Sequence, residues 1–190
     1  MFFRKTINRE PLPVTMSGVN TGERVLQIGI EEPRVAGAIA ARAGLSGQTT
    51  MAVADERAAA RARSAAEQAG ALVDVHVVPW DRLPFSDGAF DAVIVHSTNG
   101  LLAAMPDSAH MVALREWWRV VRAGGRVVVF ERGTPSGLRA LLRPASPNPD
   151  YDAAGGAAPA LEAAGFRPVR LLADREGYRF IEGIRPRAHT

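Results

Sequence analysis

Short apolar runs along this chain alternate with amphipathic, alanine-rich stretches, the order that builds a sheet with helices packed on its faces. Residues 24–28 (RVLQI) form the first run and stop at Gly29, and Pro33 then opens a helix that continues to about Gly44. Residues 49–53 read as a second strand. Asp55 stands where a cap belongs, before a long helix over 56–69 that Gly70 ends. A third strand over 73–78 passes through the turn LPFSDGAF into a fourth over 91–95. Met111, Leu114, Trp118 and Val121 recur at spacings of three and four, so 107–121 is predicted helical. Ala123, Gly124 and Gly125 stop that helix, and 126–130 is a β-branched run suited to the middle of a parallel sheet. A helix over 157–164 and strands over 167–172 and 178–184 complete the series. The link between the last two strands is short, which predicts an antiparallel hairpin on an otherwise parallel sheet.

Two segments carry no sustained period. Residues 1–21 contain Pro11, Pro13 and Gly18 and read as an extended or partly helical arm. Residues 133–159 are rich in proline and glycine, with a short helical piece near 138–142, and read as a lid or flexible loop.

A length of 190 residues with 47% hydrophobic content suits one α/β domain spanning 1–190. The absence of cysteine removes disulfides, thiolate metal sites and a cysteine nucleophile. Net charge is +3, but Lys5 is the only lysine, and the arginines are interleaved with acids. That distribution lacks the dense basic stripe of a nucleic-acid binder, so no nucleic-acid partner is expected. The opening MFFRKTINREPLP has no apolar run of signal-peptide or membrane-span length, so a cytoplasmic protein without membrane contact is expected. Phe2, Phe3 and one of the adjacent Trp117 and Trp118 suggest a homodimer surface.

Candidate chemistry gathers at strand ends. The strand, Gly29 turn and helix start of 22–37 (GERVLQIGIEEPRVAG) form the opening of a nucleotide-binding α/β domain. Its turn, however, carries Ile30, Glu31, Glu32 and Pro33 in place of further glycines. His96, Ser97, Thr98 and Asn99 follow the fourth strand, where ligands of open sheets sit. His96 reads either as a general base toward a small-molecule substrate or as a strand-end histidine making one hydrogen bond. His76 and His110 have no second ligand at metal spacing, so no metal is expected. Neither a nucleophile elbow nor a P-loop is present.

The stretches GERVLQIG, LPFSDGAFDAVIV and REWWRVVRAGGRVVVFE, in this order, resemble the class I S-adenosylmethionine-dependent methyltransferases. The resemblance covers about 22–132. It implies a Rossmann-like doubly wound sheet with one antiparallel strand in a C-terminal hairpin, and S-adenosylmethionine as cofactor. In that family the first loop reads as an acid followed by G-x-G-x-G, whose glycines let the backbone lie against the cofactor. Here those places are Gln27, Gly29, Glu31 and Pro33, so only the first glycine remains. The carboxylate that takes the ribose hydroxyls falls on Val53, with Asp55 two residues later as either a displaced ribose ligand or a helix cap. The acid near the adenine amine falls on Pro79, beside Trp80 and Asp81.

Two functional readings follow from the resemblance. One is methyl transfer to a small acceptor with atypical cofactor contacts, drawn from Gln27, the Gly29 and Ile30 backbone, Glu31, Val53, Asp55, Trp80, Asp81 and His96. The other is a non-catalytic relative that has lost the cofactor and serves as a binding module or partner subunit.

Overall fold

A computed structural model describes residues 10–133 and 148–187. Helix α1 (Leu12–Met16) leads into β1 (Arg24–Ile28), α2 (Pro33–Ala43), β2 (Gln48–Val53), α3 (Glu56–Gln68), β3 (Val73–Val77) and β4 (Phe90–Ser97). These are followed by α4 (Asp107–Val120), β5 (Val121–Arg132), α5 (Pro149–Ala153), α6 (Ala157–Ala163), β6 (Val169–Arg175) and β7 (Tyr178–Ile184). The seven strands form one sheet in the order β3-β2-β1-β4-β5-β7-β6. All neighbours pair parallel except β7, which runs antiparallel to both β5 and β6. The expected hairpin on a parallel sheet is therefore present, and the strand order reverses between β1 and β4. A sheet of this kind opens a crevice beyond the carboxyl ends of the strands at that reversal.

The central strands have the composition that double-sided burial demands. Val25, Leu26, Gln27 and Ile28 are all fully buried, as are Val93, Ile94, Val95 and the run Val127 to Val129. Alternate residues feed opposite layers. Val93, Val95, Val127 and Val129 pack with Leu114, Trp117, Leu161 and Phe166 on the α4 and α6 face. Ala92, Ile94, Val128 and Phe130 pack with Ile39, Val14 and Val19 on the other face.

Some boundaries differ from the periodicity, each for a local reason. The expected arm over 1–21 contains α1 and joins the core, because Val14 and Val19 are buried beneath it. The helix expected to reach 121 ends at Val120, and β5 begins at once, its Val121 pairing with Phe90. Gly125 makes the close approach possible, since a Cβ there would lie 2.7 Å from the Asp91 carbonyl oxygen. The sixth strand runs over 169–175, with an irregular register between Leu171 and Ala173. Of the segment read as a lid, 149–153 is the helix α5; the helical piece near 138–142, like Phe2 and Phe3, lies outside the described residues.

Candidate functional site at the β1 and β4 strand ends

At the switch point, the β1–α2 turn faces the loop that leaves β4. Gly29 ends β1 with φ +70° and donates its N–H to the Ala52 carbonyl at 3.1 Å. The direction in which a side chain would point from Gly29 is already filled: a Cβ there would lie 2.5 Å from Leu101 Cδ2 and 3.1 Å from the His96 carbonyl oxygen.

Glu31 crosses the crevice. Its Oε2 accepts from Thr98 Oγ1 at 2.9 Å and from the Asn99 N–H at 2.6 Å. Burial pushes the Glu31 carboxyl above the usual carboxylate range, against the pull of the hydrogen bonds from Asn99 and Thr98. Glu32, the residue preceding α2, lies 3.2 Å from the same Thr98 Oγ1 and accepts from the Tyr178 hydroxyl of β7 at 2.6 Å. The phenol is shifted upward by its own burial and by that carboxylate.

Beneath this bridge lies a second, fully buried pair. Gln27 Nε2 donates to the Ala36 carbonyl of α2 at 2.9 Å, which leaves Gln27 Oε1 as acceptor for His96 Nε2 at 3.0 Å. The hydrogen-bond network thus assigns the proton to Nε2 of a neutral imidazole. Desolvation lowers the His96 pKa to about 4, and the ring packs edge-on to Phe130. His96 is 2% exposed, so a base facing a solvent-filled cleft is not what this arrangement offers.

The remaining candidates are spread out. Ile30 and Val53 both pack into an apolar cluster with Met51, Ala59 and Ala62, between the sheet and α3. Asp55 caps α3, its Oδ1 accepting from the Ala58 N–H at 2.7 Å. Trp80 is half-buried against the α4-side core, and Asp81 is exposed. The structure therefore brings Gln27, Gly29, Glu31 and His96 together and leaves Val53, Asp55, Trp80 and Asp81 apart from that network.

Sequence reasoning missed three participants: Glu32 as a second carboxylate, Tyr178, and Leu101 over Gly29. Tyr178 is the instructive one, since it reaches Glu32 from across the sheet and no local pattern in the chain points to it. A further buried carboxylate, Glu131 at the end of β5, accepts from the Tyr151 hydroxyl at 2.5 Å and the Ala157 N–H at 3.0 Å. It anchors α5 and the start of α6. Burial raises its pKa. Among the described residues no group of three or more His, Asp or Glu side chains could hold a metal ion, and no helix is long and apolar enough to cross a membrane.

The residues present do not fit an adenosyl cofactor in the pose that the resemblance implies. The backbone over Gly29 is covered by Leu101, the ammonium-facing position is a sequestered glutamine, the ribose position is a valine inside the core, and the crevice is bridged by Glu31.

The turn LPFSDGAF has a different role. Arg119 of α4 donates to the carbonyls of Phe85 (2.7 Å) and Leu83 (3.0 Å), to Asp87 Oδ1 (2.8 Å), and with a two-pronged grip to Glu116 (2.8 Å each). Glu116 in turn accepts from the Leu83 N–H at 2.9 Å. The turn is clamped to α4 through its own backbone.

Comparison with known proteins identifies the family. A family model described as a methyltransferase domain matches residues 26–129. A demethylmenaquinone methyltransferase of Mycolicibacterium vanbaalenii is 50% identical over 70 residues, which is 36% of this chain and 28% of that protein. The chain thus matches well under two thirds of that relative's length. Among solved structures, a SAM-dependent methyltransferase from Aquifex aeolicus superposes with a TM-score of 0.70 at 16% identity, over 90% of this chain and 86% of the other. The S-adenosylmethionine-dependent methyltransferase SibL, in its apo form, superposes with a TM-score of 0.67 at 25% identity, over 91% of this chain and 52% of the other. With its sheet order, its reversed seventh strand and a family match over more than half its length, the chain belongs to the methyltransferase-domain family.

Proposed function

We propose that this chain is a methyltransferase-family protein whose cofactor crevice is closed from within, so that it acts as a binding module or partner subunit and does not turn over S-adenosylmethionine. One observation carries this reading: the Glu31 carboxylate spans the β1–β4 switch point to Thr98 and the Asn99 amide. Seating a cofactor there requires breaking those bonds, displacing Leu101 from Gly29 and finding new partners for ribose and adenine. Each unmade buried hydrogen bond costs about 1 to 3 kcal/mol, so several together weaken binding by orders of magnitude.

A second reading is methyl transfer from S-adenosylmethionine to a small acceptor through atypical contacts. The family match and the resemblance to demethylmenaquinone methyltransferases support it. The acceptor would then be a small molecule, and orientation in the crevice would supply most of the acceleration.

Calorimetric titration with S-adenosylmethionine and with its demethylated product separates the two. The closed-crevice reading expects no saturable heat up to about millimolar ligand. Saturable heat in the micromolar range overturns it in favour of the second. A companion variant, Glu31→Gly, Pro33→Gly and Val53→Asp, restores the family's residues and is expected to create cofactor affinity. A folded triple variant that still gives no heat would show that the correspondence of positions is wrong.

A further inference from the structure

Two carboxylates converge on a single hydroxyl at the mouth of the crevice, and counting protons there gives a result. Thr98 Oγ1 lies 2.9 Å from Glu31 Oε2 and 3.2 Å from Glu32 Oε1. The Asn99 N–H is committed to Glu31 Oε2, the Leu101 and Thr98 amides also act on the Glu31 carboxylate, and the Tyr178 hydroxyl is committed to Glu32 Oε2. A threonine hydroxyl has one proton to give. With both glutamates ionised, one of the two short contacts sets an oxygen lone pair against a carboxylate oxygen, beside a second negative charge. With one additional proton in the array, a carboxylic acid donates to Thr98 Oγ1, Thr98 donates to the other carboxylate, and every contact becomes a hydrogen bond.

We infer that Glu31, Thr98 and Glu32 form a proton-operated latch, which holds the β1–α2 turn against the β4 exit loop when it carries one shared proton and releases that loop when the proton leaves. The inference deepens the closed-crevice reading by naming what regulates access to the crevice.

The surroundings are consistent with a proton held here. Burial favours the protonated Glu31 carboxyl, against the pull of the hydrogen bonds it accepts from Asn99, Thr98 and Leu101. His96 comes from β4, two residues before Thr98, and is kept neutral and engaged with Gln27. From β7 comes Tyr178, donating to Glu32, and at the β6–β7 turn Glu176 adds negative potential at that phenol. Arg34 of α2 and Arg61 of α3 supply positive charge. Both line, with Glu31 and Glu32, a groove of about 570 Å³ on the helical face. They are exposed, so solvent screens their effect on the buried side of the pair.

The sign follows from the count. Burial holds the Glu31 carboxyl above its ordinary value, so the latch is closed at acid pH and loosens as pH rises through the titration of the array. Hydrogen exchange by mass spectrometry on the free protein reads this directly through the amides of 98–104. After correction for intrinsic exchange, protection is expected to fall by about ten-fold or more from pH 5 to pH 8.

Glu31→Gln with its amide oxygen at the Oε2 position accepts from both Asn99 and Thr98 but cannot ionise, so protection should vary far less with pH than in the unaltered protein. Thr98→Val removes the bridging hydroxyl and should give low, flat protection, with circular dichroism confirming that the sheet is intact. Flat protection in the unaltered protein, or an unchanged slope in Glu31→Gln, overturns the latch. Neither outcome depends on any ligand. Cofactor binding in the calorimeter would defeat the closed-crevice reading without touching this result, and a flat exchange profile would defeat the latch while leaving the missing cofactor contacts as they are.

Discussion

The β3–β4 turn with α4 and β5, and the β1–α2 turn with the end of β2, both carry motifs compared with the family in the sequence, and the structure uses them in opposite ways. In the first, LPFSDGAFD and the arginine of α4 are present, and the structure shows why they go together: the Arg119 guanidinium reads the turn's backbone at Leu83 and Phe85 and ties Glu116 and Asp87 to it. In the second, Gln27, Glu31, Pro33 and Val53 stand where the resemblance implies an acid, two glycines and the ribose carboxylate. The replacements are satisfied internally, through Ala36, His96, Thr98, Asn99 and an apolar cluster. The lesson is that a family signature mixes residues that hold the chain with residues that hold a ligand. On the closed-crevice reading proposed above, the former persist here without the latter.

The comparison can be broken most severely at Arg119. Arg119→Ala strips a partly exposed turn of five charge-assisted hydrogen bonds at once and leaves Glu116 without its two-pronged partner, so urea denaturation should show a loss of about 4 kcal/mol. Arg119→Lys, with one point charge for a planar fork, should recover less than half of it. A loss under about 1 kcal/mol would mean the turn is held by something other than this clamp.

The ligand half should betray its sealing through pH. The His96 imidazole has its pKa lowered from 6.5 to about 4, so its neutral form contributes stability that is fully present above pH 6.5 and lost as pH falls toward 4. The shift corresponds to roughly 3 kcal/mol. His96→Gln, which keeps a donor for Gln27, should flatten the stability profile across that interval relative to the unaltered protein. An identical profile would show that His96 is not sealed. Glu31 and Glu131, with raised values, act in the opposite sense and stabilise on the acid side, which is why the difference between the two proteins is the quantity to measure.

The smallest effect sharpens the assignment of one residue. Asp55→Ala should cost about 1 kcal/mol, the ordinary loss of an N-cap. In the triple variant that restores cofactor affinity, the same change should leave the binding heat unaltered. A large drop in affinity would make Asp55 a ribose ligand and bring the second region back toward the family's pattern.

The apolar runs at 24–28, 49–53 and 126–130 and the alanine-rich helices between them determined the α/β class, the succession of elements and the terminal hairpin, because burial on both faces demands continuous β-branched strands and short links force antiparallel pairing. The family match was legible too, since it is a matter of residue type at a fixed spacing. Tertiary structure alone decided what the substitutes do. Glu31 becomes a bridge only because the sheet order sets β4 beside β1, Glu32 meets Tyr178 only because β7 reverses next to β5, and Val14 joins the core only because α1 folds back onto the sheet. Hydrogen bonds between groups dozens of residues apart depend on where the strands finally lie, and residue spacing along the chain holds no record of that.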